Sequence, residues 1–409
     1  MRVHPVLFCA LLACGGTAPP TEPHALAPPA TPPPAPVISS SRPPATRSPW
    51  PATAAMDERD AAFTSACGTA DGALARVAMR VASQRARGLG APDPDRVVSM
   101  MRAHGQPDVR PRIVSASSRG PRDDDAIRAR LESSRRPGTR CGVALVRPEP
   151  ASGKEGSELF VAVAVDALAD LDALPTRART GEWLTFSSLL HVPATSAKLV
   201  VLGPRGLPRT VPTSIERTST GPMRVRARFA LDRPGAFTVQ LIADLENGPL
   251  PLLEAHVFAD IEPPPDDETG RAPVPGEDLA GGDDGAAALA RMTAALRASE
   301  SLAPLRRDDR LDAIAHAHAE QMKTARTIAH DLGDGDLALR FESAGLAAKV
   351  VGENVARARS VALAHRALHA SPSHRMNLLR ADYTHVGFAV VTDESGDVYA
   401  CEVFASGLR

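Results

Sequence analysis

The chain has 409 residues, 43 % of them hydrophobic, with 47 basic against 48 acidic side chains and a net charge of −1. That apolar content excludes wholesale disorder, and the length allows two or three domains. No segment is rich enough in Lys and Arg to form a nucleic-acid surface, and with aromatics at 3 % the cores must be built from Ala, Val and Leu.

Met1–Ala13 carries Arg2 and then the apolar run Val6–Ala13. Eight residues cannot span a bilayer, which takes about 20 in a helix, but the run fits a short secretory signal. It ends in Leu11-Leu12-Ala13-Cys14, which resembles the bacterial lipobox, so residues 1–13 are expected to be removed and Cys14 lipidated. The alternative is an ordinary signal cut nearby, with Cys14 incidental. The resemblance implies an exported lipoprotein of the bacterial cell envelope, held at the membrane through Cys14. Residues 14–56 form a tether: 13 of the 35 residues from Thr17 to Pro51 are proline, a composition that stays extended and semi-rigid.

Of five cysteines, Cys67, Cys141 and Cys401 remain in the exported part, where disulfides persist. Cys67–Cys141 is the expected bridge, with Cys401 buried as a small hydrophobe.

Residues 57–172 begin helically, with Leu74, Val77, Ala78 and Val81 on one face, and end in two apolar strands, Cys141–Val146 and Leu159–Val165. This is an α+β pattern. Residues 176–262 read as strands. Arg224, Arg226 and Arg228 alternate with Val225, Ala227 and Phe229, as in a strand with one buried face. Further runs at Glu182–Leu190, Lys198–Leu202, Ala236–Ala243 and Leu250–Phe258 predict an antiparallel sandwich, immunoglobulin-like in layout. The arginine row is a solvated strand face in preference to a binding face. Residues 263–285 form an acidic Pro/Gly linker; Glu262–Gly285 holds eight acids and one Arg.

Seven of the twelve histidines follow residue 285. The spacing predicts a helix over Asp309–Ala325, where His316 and His318 stand about 200° apart and cannot share an ion. His365 and His369 are four apart on a helix and can; a half-buried or surface pair is the alternative. The last strands, His385–Thr392 and Val398–Ala405, are apolar on both faces, which predicts helices on both sides of the sheet.

Five motifs then come in order: Glu300–Leu305 before His318–Met322; His330; Gly352-Glu353-Asn354; Ser371-Pro372-Ser373-His374-Arg375; and Val386-Gly387-Phe388 with the closing Tyr399–Phe404. Over 286–407 the chain resembles the bacterial branch of the CAP superfamily (cysteine-rich secretory proteins, antigen 5, pathogenesis-related 1), also called the SCP domain. The resemblance implies an α-β-α sandwich whose open groove is floored by His330, Glu353 and His374. The family's second groove glutamate has no match; Glu402 is the one acid able to substitute, an edge or water-facing position being the other reading. Ser371 and Pro372 read as N-cap and first residue of a short helix. Its positive end should keep His374 neutral. Two imidazoles and a carboxylate suit zinc or another divalent metal; the alternative is a hydrogen-bonded cluster that organises the groove.

The order of elements in 57–172 repeats that of the C-terminal region without His330, Glu353 or His374, which reads as a degenerate CAP-like domain, or else an unrelated α+β domain. The expected architecture is therefore multidomain α+β: a degenerate CAP-like domain, a β-sandwich and a C-terminal CAP/SCP domain. Two functions follow. One is a binding module for an apolar small molecule, a cell-wall component or a protein. The other is a zinc-dependent hydrolase or protease with metal on His330 and His374.

Overall fold

The computed structural model describes residues 61–88, 94–118, 123–147, 158–217, 222–246, 248–263, 273–282 and 285–409. The signal, Cys14 and the Pro-rich tether lie outside them. The described chain is a mixed α+β protein with four sheets.

The first module comprises α1 (Ala61–Cys67), β1 (Thr69–Ala70), α2 (Gly72–Ala86), α3 (Pro94–Ala103), β2 (Arg112–Ser118), α4 (Asp124–Ser134), β3 (Thr139–Val146) and β4 (Glu158–Asp166). Asp71 caps α2 by accepting a bond from the Leu74 amide, as an N-cap does. The sheet order is β1-β3-β4-β2. Leu74, Val77, Ala78 and Val81 of α2 pack on one face of this sheet. Phe63 and Leu131, from α1 and α4, pack on the other. Cys67 and Cys141 are joined in a disulfide, with their Cα atoms 5.9 Å apart.

Two sheets follow, formed by β5 (Ala169–Leu171), β6 (Arg177–Ala178), β7 (Trp183–Leu190), β8 (Ser196–Leu202), β9 (Arg209–Val211), β10 (Thr213–Glu216), β11 (Arg224–Ala230), β12 (Gly235–Leu245) and β13 (Gly248–Ala259). Their orders are β10-β11-β7-β5 and β6-β13-β12-β8-β9, and one core containing Phe186, Phe229, Phe237, Leu241 and Val257 fills the space between them. The short strands β5, β6, β9 and β10 give no pattern in the sequence because two to four residues are too few to alternate. Strand β5 pairs with β7, so residues 169–171 belong to this part and not to the module before it. The β11 arginines have local partners: Arg224 pairs with Asp172, Arg226 with Glu216, and Arg228 lies over the Trp183 ring.

The C-terminal module comprises α5 (Gly285–Ser299), β14 (Arg306–Arg307), α6 (Asp309–Ala325), α7 (Leu337–Ser343), β15 (Val350–Ala358), α8 (Val361–Ala370), α9 (Pro372–Leu378), β16 (His385–Thr392) and β17 (Val398–Ser406). Its sheet runs β14-β16-β17-β15. Leu311, Ile314 and Met322 of α6 meet Tyr399, Cys401 and Val403 on one face. Leu289, Met292, Leu368 and Leu378 meet Ala400 and Phe404 on the other. Strand β17 is buried throughout, as a central strand covered on both sides must be.

Part of the expected linker is fastened down. Glu277 forms a two-pronged ion pair with Arg366 at 2.5 and 2.6 Å, and His365 Nε2 donates to the Pro275 carbonyl at 3.1 Å. His365 is fully buried, so it is a fastening residue and not half of an exposed pair with His369.

The first and last sheets share one order: first, third, fourth, second strand in chain sequence. In each, a two-residue strand runs parallel to the third strand, an aspartate caps the helix that follows, and a glycine on the third strand lies against that helix. A Cβ on Gly142 would stand 1.9 Å from the Ala75 nitrogen, and one on Gly387 2.2 Å from the Leu311 carbonyl carbon. Both glycines are required by close approach of backbone to backbone.

Candidate functional site

Strand alternation decides which groups meet. On β15, Glu353 and Asn354 point to opposite faces of the sheet, and on β17 so do Cys401 and Glu402.

On the α6/α7 face, both Glu353 oxygens are engaged. Arg340 donates Nη1 to Oε1 at 2.7 Å and Nη2 to Oε2 at 3.1 Å. His330 donates Nδ1 to Oε2 at 2.9 Å, and the Cys401 thiol lies 3.6 Å from Oε1. Burial acts to raise the Glu353 pKa, but the bonds from His330 and Arg340 outweigh it and bring it down to about 2. His318, fully buried, directs Nδ1 to Asp334 at 2.9 Å and Nε2 to the Ala329 carbonyl at 2.8 Å. Glu353 accepts the Nδ1–H of His330, whose side chain is 43 % exposed.

On the other face, the Asn354 amide donates to Glu402 Oε2 at 2.9 Å and to the His374 carbonyl at 3.2 Å. It accepts from Asn377 Nδ2 at 3.0 Å. Thr293 donates to Glu402 Oε1 at 2.9 Å. A Cβ on Gly352 would stand 2.1 Å from the Tyr383 hydroxyl. The Gly-Glu-Asn motif thus divides its work: Gly352 leaves room for Tyr383, Glu353 serves one face, and Asn354 docks α9 on the other.

Glu402 is a correction. It is neither a groove glutamate nor water-facing: it is fully buried, on the face away from Glu353. The cause is its position on a central strand with both faces covered. Burial pushes its pKa up to about 7 despite the bonds from Asn354 and Thr293.

His374 lies in the first turn of α9, as expected, though the Ser371 side chain makes no cap bond and meets Ser373 Oγ at 3.2 Å instead. Its pKa is lowered to about 3, first by burial and then by the charges of His330 and Arg110, with Glu353 opposing. The ring is therefore neutral, for a reason other than the helix end. His330 and Glu353 are in contact; His374 is within electrostatic reach of both and bonded to neither.

Glu353, one of the expected donors, is already engaged. Both Glu353 oxygens are taken by a guanidinium, whose charge repels a cation, and His330 has its Nδ1 on the same carboxylate. Among the described residues, no group of three or more His, Cys, Asp or Glu side chains is placed to hold a metal.

Arg340, Asp334 and His318 complete the cluster, and sequence reasoning assigned them no role. The signal was present: Arg340 lies on the apolar side of a short helix beside Leu337 and Phe341, and a cation there needs a buried counter-charge.

The family model for the cysteine-rich secretory protein family, CAP, matches residues 290–404. No curated protein matches the chain. Among solved structures, an outer surface protein of Borrelia burgdorferi is 23 % identical over 29 % of this chain and 89 % of its own, with a TM-score of 0.27. An extracellular SCP-domain protein of Bacillus anthracis is 13 % identical over 59 % of this chain and 86 % of its own, TM-score 0.28. A cysteine-rich secretory protein of Staphylococcus aureus is 15 % identical over 59 % and 81 %, TM-score 0.26.

Proposed function

Residues 290–404 form a CAP domain, and from that premise we propose that the chain is an exported, lipid-anchored binding module of the bacterial cell envelope, using the cleft around His330 and His374. The ligand class is an apolar small molecule, a cell-wall component or a protein. The observation that carries binding over hydrolysis is the commitment of Glu353. A carboxylate held by two bonds from Arg340 and one from His330 is a rigid, charge-balanced floor. Both its oxygens already accept hydrogen bonds, which opposes a role as metal ligand or general base.

Export rests on the apolar run Val6–Ala13 and on the Cys67–Cys141 disulfide, a bond that persists in oxidising compartments. Anchoring rests on the lipobox resemblance at Cys14; two or more acyl chains hold a protein stably.

We read the first module as a CAP-like domain without groove chemistry, the strand order and the paired glycines Gly142 and Gly387 supporting it. The registers align Ile113 with Glu353, both lying opposite the strand residue that also faces the glycine. They likewise align Val114 with Asn354 and Ala162 with Glu402. All three polar groups are replaced by apolar ones, which removes the cluster and leaves the sheet.

The test uses the full chain with radiolabelled palmitate and insoluble peptidoglycan as probes, beside zinc analysis. Capture of either probe, lost in His330→Ala/His374→Ala, supports the reading. Stoichiometric zinc together with a hydrolase activity lost in the same variant overturns it.

A further inference from the structure

Between α3 and β2, the chain leaves the first module and runs along the five-stranded sheet. Asp108 forms an antiparallel bridge with Leu253 on β13, and the Glu254 amide donates to the Pro107 carbonyl at 2.8 Å. The segment thereby adds to the side of β13 that β6 covers further along. Arg102 ties both ends, donating Nη1 to the carbonyls of Gln106 at 2.7 Å and Asp108 at 2.9 Å. Its Nε meets Glu254 at 3.3 Å. Gln106 bridges the Asp108 amide at 3.0 Å to Asp71 at 2.8 Å.

At the centre of this junction the Asp108 side chain is fully buried and poorly served. Oδ2 lies 3.4 Å from Arg140 Nη1, and Arg140 also pairs with Asp170. Oδ1 is buried with no hydrogen-bond partner among the described residues. An ionised carboxylate in this position lacks the bonds that would offset its desolvation, whereas a protonated one leaves a smaller polar group unmet.

We propose that residues 106–110 are a proton-sensitive clamp between the first module and the five-stranded sheet, closed while Asp108 carries a proton and loosened when it ionises. The facing charges are Arg102 on α3, Arg140 on β3, Asp71 before α2, Asp170 on β5 and Glu254 on β13. Two histidines lie one carboxylate further out: His191 on Asp170 at 2.9 Å and His256 on Glu254 at 4.0 Å. Desolvation dominates Arg140 and Arg102, with Asp71 and Asp170 adding repulsion, so the Asp108 pKa rises to about 7. The raised value means the clamp is tightest below the unfolded carboxylate range and weakens as pH climbs toward 7. Arg110, two residues on, is a cation within reach of His374, so loosening the segment alters the charge beside the cleft.

Amide exchange at Asp108 and Glu254, corrected for intrinsic rates, tests this on the full chain. With the closed-state pKa at about 7 and the open-state value near 4, the opening constant rises about tenfold from pH 6 to pH 8. Asp108→Asn, which leaves both histidines in place, flattens that rise. An independent reading is the NMR titration of the Asp108 carboxyl carbon, with its midpoint expected near 7. A flat wild-type profile, an undiminished rise in Asp108→Asn, or a carboxyl midpoint near 4 overturns the proposal.

Discussion

Arg340 and Glu353 meet as a two-pronged buried ion pair, Nη1 to Oε1 at 2.7 Å and Nη2 to Oε2 at 3.1 Å. The pair joins α7 to β15 and governs everything else on that face, because it fixes the carboxylate to which His330 bonds.

Removing one partner leaves the other charge buried and alone. Arg340→Met is expected to cost on the order of 3–5 kcal/mol of unfolding free energy, measured by urea denaturation at pH 7. Adding Glu353→Gln to Arg340→Met should recover part of that loss, since Glu353 then leaves no unpaired carboxylate, while Asp334 still lacks its arginine.

The Glu353 pKa, depressed to about 2, stabilises the fold above the unfolded value of 4.5, and that contribution is lost as pH falls toward 2. Urea curves at pH 6 and pH 3 should therefore differ less in Glu353→Gln than in the wild type. An equal difference in both removes Glu353 from the acid response.

Glu402 has the opposite sign. Its pKa is raised to about 7, so its favourable state is fully present below 4.5 and lost as pH rises through 7. Glu402→Gln should gain on the order of 2–3 kcal/mol over the wild type at pH 8.5 and little at pH 4. The Gln oxygen can take the Asn354 bond while the Thr293 hydroxyl turns to accept. A gain of the same size at both pH values contradicts a buried, titrating carboxyl.

Gly352→Ala brings a methyl group 2.1 Å from the Tyr383 hydroxyl, an overpacking expected to cost about 1–3 kcal/mol. Combining it with Tyr383→Phe opens that space and should return part of the loss, read from the two single variants and the double in one thermodynamic cycle.

The disulfide closes 74 residues of chain, which constrains the unfolded state by about 4 kcal/mol. Reduction should lower the melting temperature of the wild type, and Cys67→Ala/Cys141→Ala should match the reduced protein and no longer respond to reductant.

Much of the C-terminal module was legible in its sequence, because long elements reveal their faces. Helix α6 spans Asp309–Ala325 as its apolar spacing requires, and β16 spans His385–Thr392. The five ordered motifs were legible too, since each is a local string whose glycine, proline or capping residue has a local cause. What periodicity could not supply was the partner of each polar group. Glu402 reads as an acid in an apolar strand, and only the placement of β17 between β16 and β15 shows it to be buried with Asn354 and Thr293. His374 is neutral because of burial and of neighbouring charges, Arg110 among them from more than 260 residues earlier, and no property of a seven-residue helix contains that fact.

The sequence by itself determined which face of each long helix and strand is apolar and which residue types are available for a site, since these follow from spacing along one segment. Tertiary structure alone decided which charges neutralise one another: Arg340 with Glu353, Arg366 with Glu277, Arg112 with Asp166. Coulomb energy and desolvation depend on distance and enclosure in space, and neither is a function of separation along the chain.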